Sequence, residues 1–197
     1  MRRTGEHRAG GFPLDDAALT RLVQAALDED AASRDVTSIA TVLPGQRARA
    51  RLVARQAGVV CGVPLAVATF RLCDPDVTVR VDAADGTRVP AGTTVLFLSG
   101  RARDLLAAER TAINFMQRLS GISTLTHRFV EAVAGTRARI VDTRKTTPGY
   151  RALEKYAVRC GGGLNHRFDL AESVLIKDNH LAALDGDIAL AVRRGGG

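Results

Sequence analysis

The amino-acid sequence predicts an α/β protein in two parts, with helices and an antiparallel sheet up to about residue 120 and a parallel sheet or barrel after it. Three observations carry this. The 197 residues are 46% hydrophobic and 25% charged, which suffices for one large or two small cores. Apolar residues recur at helical spacing in some segments and at a period of two in others. Past Gly121, strand-like and helix-like segments alternate, which implies right-handed βαβ units.

The elements follow in chain order. Residues 1 to 13 are basic, glycine-rich and without periodicity, so a frayed arm is expected there. After Asp15, the residues Leu19, Leu22, Val23, Ala26 and Leu27 mark one face of a helix whose first turn is acidic. Residues 28 to 38 read as a polar loop. Arg47, Arg49, Arg51 and Arg55 then alternate with Ala48, Ala50, Leu52 and Ala54, predicting a strand with one solvated face. An arginine strip for nucleic acid is the competing reading, but no aromatic residue interleaves to stack on bases. A Gly-rich turn leads into a helix over residues 64 to 72, and residues 77 to 81 and 93 to 100 read as strands. Residues 103 to 119 predict a largely buried helix whose one polar stripe is Arg110, Asn114 and Gln117. A domain boundary is expected near residues 118 to 122. Beyond it come a helix (124 to 134), a strand (138 to 142), a loop (143 to 149), a helix (151 to 159), a Gly-rich loop (161 to 169), a strand (173 to 177) and a last helix (187 to 194).

Composition excludes a disordered, collagen-like or disulfide-stapled chain. Cys61, Cys73 and Cys160 stand at unrelated spacings, which fits a reducing compartment and no zinc site. No apolar run approaches the ~18 residues of a membrane span, so a cytoplasmic protein is expected. The net charge of +7 points to anionic partners: nucleic acid, anionic lipid or a small, multiply charged substrate. Among 28 basic residues only Lys145, Lys155 and Lys177 are lysine, and a chain that otherwise uses arginine marks them as places to look for chemistry.

In parallel α/β folds the functional groups sit on loops at the C-terminal ends of strands. Three clusters obey that rule: the run from Thr143 through Arg144 and Lys145 to Gly149, the group Asn165, His166 and Arg167, and the run from Lys177 to His180. Arg144, Lys145, His166, Arg167 and Lys177 are therefore expected to converge on one mouth. The arginines supply planar forks for carboxylate or phosphate and the lysines supply point charges. Such a cluster suits a small ligand with several negative charges.

The phrases LLAAERTAINFMQRLSGIST (105 to 124), RIVDTRKTTPGYRALEKYAV (139 to 158), GGGLNHRFDL (161 to 170) and LIKDNH (175 to 180) resemble the signatures of quinolinate phosphoribosyltransferase, also called carboxylating nicotinate-nucleotide pyrophosphorylase. The resemblance runs from about residue 14 to residue 194. It implies an N-terminal α/β sandwich over 14 to 120 and an α/β, TIM-like barrel over 121 to 197. Since a barrel takes about 250 residues, an incomplete barrel with a free parallel edge is expected. The resemblance further implies the conversion of quinolinate and phosphoribosyl pyrophosphate to nicotinate mononucleotide, pyrophosphate and CO2, with Mg²⁺ carried mainly by the pyrophosphate. It implies a homodimer in which Arg110, in the ERT motif, reaches the partner's active site. Substrate binding falls to Arg110, Arg144, Lys145, His166, Arg167 and Lys177, and catalysis to Lys145 and Lys177.

The chemistry of the residues agrees with such roles. Quinolinate is a dianion, and holding it in a partly dry site requires at least two positive charges. As pyrophosphate leaves, ribose C1 gains oxocarbenium character and the departing charge needs cations around it. A catalytically inactive basic module, binding nucleic acid or a full-length subunit, is the alternative from another class, and nicotinate phosphoribosyltransferase is the competitor within the same class.

Overall fold

The computed structural model describes residues 11 to 196. Helix α1 (Asp16–Glu29) starts where Asp15 accepts the Ala18 N–H at 2.7 Å, and it buries Val23 and Leu27. Most of the expected N-terminal arm lies outside the described residues. Its last part is fixed, not frayed: Phe12 packs edge-on against Tyr156 with ring centroids 5.4 Å apart, and Arg159 Nη2 donates to Gly11 O at 3.2 Å.

The expected loop at 28 to 38 is instead a short 3-10 turn (Ala32–Arg34) and the start of helix α2 (Val36–Thr41). Asp35 caps α2 by accepting the N–H groups of Thr37 and Ser38, each at 3.1 Å. Arg103, distant in sequence, donates to the carbonyls of Ile39 and Val42 at its other end. A local cap at one end and a tertiary partner at the other thus make a helix out of a weakly periodic stretch.

Strands β1 (Arg47–Val53), β3 (Thr78–Val81) and β5 (Thr94–Arg101) form an antiparallel sheet in the order β1-β5-β3. Arg49 stands opposite Ser99 and Arg51 opposite Phe97. The arginines of β1 are exposed while Ala48, Ala50 and Leu52 pack inward, as the period of two predicts. Strands β2 (Gly58–Val59) and β4 (Arg88–Val89) make a separate two-stranded piece, and helix α3 (Val63–Cys73) packs on the larger sheet. One core lies between that sheet and α3, with Leu96, Leu98, Ala66 and Phe70 fully or almost fully buried.

Helix α4 (Ala102–Ala132) has 31 residues and runs straight through Gly121, where two helices were expected. Small polar side chains tie it down on either side of that glycine. Ser120 Oγ accepts the Cys61 N–H at 2.9 Å, Thr124 Oγ1 accepts the Val59 N–H at 2.9 Å, and Ser123 Oγ donates to Ala157 O at 2.7 Å. The first half of α4 completes the core on the sheet through Leu105, Ala108 and Ala112, and Phe115 and Leu119 enter a second core with α1 and with Leu153 and Ala157 of helix α5 (Arg151–Cys160). This one helix carries the packing from the sheet to the region of the site.

After α4 the expected strands at 138 to 142 and 173 to 177 do not form. A single parallel bridge joins Val141 to Leu164, which lies in the Gly-rich loop and not in the second expected strand. A parallel strand exists only through its neighbours, and residues 173 to 177 have none among the described residues. Helices α6 (Asp178–Ala182) and α7 (Ile188–Gly195) follow. Among the described residues, no helix is long and apolar enough to cross a membrane.

Candidate active site

The site is organised by α5 and the two loops it separates, 143 to 149 before it and 161 to 169 after it. Leu153 and Ala157 face the second core. Glu154 and Lys155, neighbours in sequence and both buried, point to different loops. Glu154 Oε1 accepts from Arg118 Nη2 at 2.7 Å and from Thr147 Oγ1 at 2.8 Å, and Oε2 accepts from the Thr147 N–H at 3.2 Å. Burial pushes this carboxyl up, but the bonds from Arg118 and Thr147 outweigh burial and hold it below the ordinary carboxylate range. Lys155 Nζ donates to Asp142 Oδ1 at 2.6 Å and to His166 O at 2.8 Å. Farther along α5, Tyr156 donates to Asp85 at 2.9 Å, tying the helix to the turn between β3 and β4.

The glycines of the second loop are required for two different reasons. Gly161 and Gly163 lie against α4 and α5, where a Cβ would meet Ser123 O at 2.4 Å and Val158 Cγ1 at 2.7 Å, respectively. Gly162 has φ +87°, a left-handed conformation that glycine adopts without strain.

The five strand-end cations do not line a single cavity. Lys145 is exposed and lines a cleft of about 230 Å³ with Arg118, Asp142, Thr143, Glu154 and Lys155. Arg167 and Lys177 line a second cleft of about 380 Å³ together with His180 and Arg194, and no acidic residue among the described ones lines it. Lys177 does not close a strand but precedes α6. Arg167 is 8% exposed and its Nη1 donates to Ser173 O at 2.6 Å. Arg144 and His166 border neither cleft. The Arg144 Nε is buried without a hydrogen-bond partner among the described residues. His166 Nδ1 accepts the Arg167 N–H at 2.7 Å and His180 Nδ1 accepts the Lys177 N–H at 3.0 Å. Arg110 lies on the exposed face of α4, away from both clefts, and in its polar stripe Gln117 Nε2 donates to Asn114 Oδ1 at 3.1 Å.

Sequence reasoning missed Asp142, Lys155, Glu154 and Arg118. The one signal for any of them was the scarcity of lysine, which marked Lys155.

Two family models cover most of the chain: the quinolinate phosphoribosyl transferase N-terminal domain matches residues 35 to 120 and its C-terminal domain matches residues 122 to 195. The chain belongs to the quinolinate phosphoribosyltransferase family. Members similar to it include a probable carboxylating nicotinate-nucleotide pyrophosphorylase of Synechocystis, 48% identical over 147 residues that make up 75% of this chain and 50% of the relative. The carboxylating nicotinate-nucleotide pyrophosphorylase of Mycobacterium leprae is 46% identical over 87% of this chain and 61% of its own length. The crystal structure of NadC from Streptococcus pyogenes superposes with a TM-score of 0.85 at 41% identity, covering 92% of this chain and 65% of that one. The fold is therefore the family's α/β fold, and this chain spans about half to two thirds of the length of these relatives.

Proposed function

We propose that this chain carries the quinolinate-binding part of a quinolinate phosphoribosyltransferase, which transfers phosphoribosyl from phosphoribosyl pyrophosphate to quinolinate and releases pyrophosphate and CO2. The observation that carries the reading is the cleft with Arg167, Lys177, His180 and Arg194, without an acidic lining residue among the described residues, in a chain whose two parts both match that family. A dianionic substrate finds there the opposite charges that offset its desolvation. Arg144, with its unsatisfied buried Nε, supplies a further donor, and Lys145 and Lys177 serve as the catalytic cations.

In this reading the pyridine nitrogen of quinolinate bonds to ribose C1 as the C1–oxygen bond to pyrophosphate breaks. Lys145 and Lys177, each from its own cleft, assist in neutralising the carboxylate and phosphate groups of the two substrates. The nitrogen becomes cationic and stabilises the carbanion left when the adjacent carboxylate departs as CO2. That carbon then takes a proton. The described residues hold no group of three His, Cys, Asp or Glu side chains suited to a metal. They do not fit a protein cage for Mg²⁺, which would instead be carried by the pyrophosphate. The protein works as a cytoplasmic homodimer, with Arg110 on the exposed face of α4 completing the partner's site.

The test is formation of nicotinate mononucleotide and CO2 from quinolinate, dependent on phosphoribosyl pyrophosphate. CO2 release also separates the reaction from that of nicotinate phosphoribosyltransferase. Arg144→Ala and Arg167→Ala are expected to weaken quinolinate binding far more than Arg51→Ala on the outer face of β1. Equal effects would place the site elsewhere, and absence of both product and quinolinate binding would overturn the reading.

A further inference from the structure

Two adjacent side chains of α5 hold the two loops that bear the proposed substrate ligands. Glu154 takes Thr147 in the first loop, and Lys155 takes the second. Lys155 and Asp142 form a buried ion pair, their side chains 4% and 6% exposed. Their hydrogen bonds converge on one peptide segment. The His166 N–H donates to Asp142 Oδ1 at 2.8 Å, and the His166 carbonyl accepts from Lys155 Nζ at 2.8 Å. Asn165 Nδ2 adds a bond to Asp142 Oδ2 at 2.6 Å and a second to Lys155 O at 2.9 Å. Both main-chain polar groups of His166 are thus gripped by the two halves of one ion pair.

A buried ion pair adds little to stability that apolar side chains of similar volume would not. What it adds is direction, because charge-assisted bonds are short and set the orientation of the peptides they hold. The peptide so held carries the His166 ring on one side and leads into Arg167 on the other. The Val141–Leu164 bridge and the bond from Arg167 Nη1 to Ser173 O hold the loop on either side, and the ion pair holds the His166 peptide between them.

We propose that Lys155 and Asp142 are positioning residues, clamping the main chain of His166 so that His166 and Arg167 are aimed at the carboxylates of quinolinate; the proposal rests on the quinolinate reading of the site. Hydrogen–deuterium exchange and quinolinate titration calorimetry on the full chain test it, comparing wild type, Lys155→Met, the double variant Asp142→Asn/Lys155→Met, and Arg51→Ala. The double variant leaves no orphan charge and so retains a folding route closed to a single variant that strands one. Exchange in peptides covering 161 to 169 is expected to rise about 10- to 100-fold in the double variant, the size of a lost bond to a charged group. Exchange in β1 and β5 should stay within about twofold, and quinolinate affinity should fall about tenfold or more. Arg51→Ala should move neither. Unchanged exchange at 161 to 169, or a rise shared equally by the sheet, would overturn the clamp. Unchanged quinolinate affinity in the double variant, with a binding wild type, would overturn the positioning role alone. Failure of the wild type itself to bind quinolinate would instead overturn the substrate reading and the role that rests on it.

Discussion

Two glycine-to-alanine changes less than a helix length apart are expected to have opposite signs. Gly161 has φ −79°, a conformation open to any residue, so alanine there meets no backbone strain and only a lack of room. Its Cβ would stand 2.4 Å from Ser123 O and 2.7 Å from Thr126 Cβ. Ordinary contact begins at 3.4 Å, so the loop must retreat by about 1 Å from α4. The oxygen belongs to the main chain in the interior of a 31-residue helix and cannot rotate aside. Overpacking of this kind costs roughly 1–3 kcal/mol, and at about 2–4 °C per kcal/mol for a chain of this size Tm should drop by some 2–12 °C. A shift of that size in the loop bearing His166 should also lower quinolinate turnover by up to about 100-fold. Gly121 lies in the same helix, exposed, with nothing within 4 Å of an added Cβ. Alanine there should stabilise by roughly 0.5–1 kcal/mol through helix propensity, raising Tm by about 1–4 °C. Thermal unfolding followed by circular dichroism, with wild type and both variants side by side, reads the two signs. A Gly161→Ala chain that melts with the wild type, or a Gly121→Ala chain that melts below it, would refute the packing argument.

The other expectations concern how α5 and the sheet are held. Leu153→Ala, at a site 2% exposed in the second core, should cost about 2–5 kcal/mol in urea unfolding. Asp74 is fully buried and its Oδ2 accepts the Arg101 N–H at 2.8 Å, so Asp74→Ala should cost roughly 1–3 kcal/mol by stranding that donor, whereas a cost near zero would show that water replaces the carboxylate. Glu154 has its folded pKa lowered, so its contribution is complete above the ordinary carboxylate value and is lost as pH falls through the folded one. Urea midpoints measured through the acid range should therefore fall less steeply for Glu154→Gln than for wild type, and parallel slopes would remove Glu154 from the acid-sensitive set.

Which parts of this structure were legible in the sequence follows from how local their causes are. The arginine comb of β1 and the helices α1, α3 and α5 declare themselves because periodicity and capping act within a few residues. The strands expected at 138 to 142 and 173 to 177 had suitable residues, but a parallel ladder is made by partners far along the chain. The rule about strand ends located the cationic loops, yet it said nothing of how the loops divide those cations, and Lys145 and Lys177 line different clefts. Lys155 shows the limit most sharply. It stands two residues from Leu153, about 200° around the helix from the core face at 100° per residue, which predicts a solvated lysine. The face is buried because Asp142 and the loop at His166 fold over it, a fact with no periodic trace. Only composition pointed to it. In a chain where arginine is the default cation, the lysine kept at this position is a compact ammonium that donates to the Asp142 carboxylate and to the His166 carbonyl.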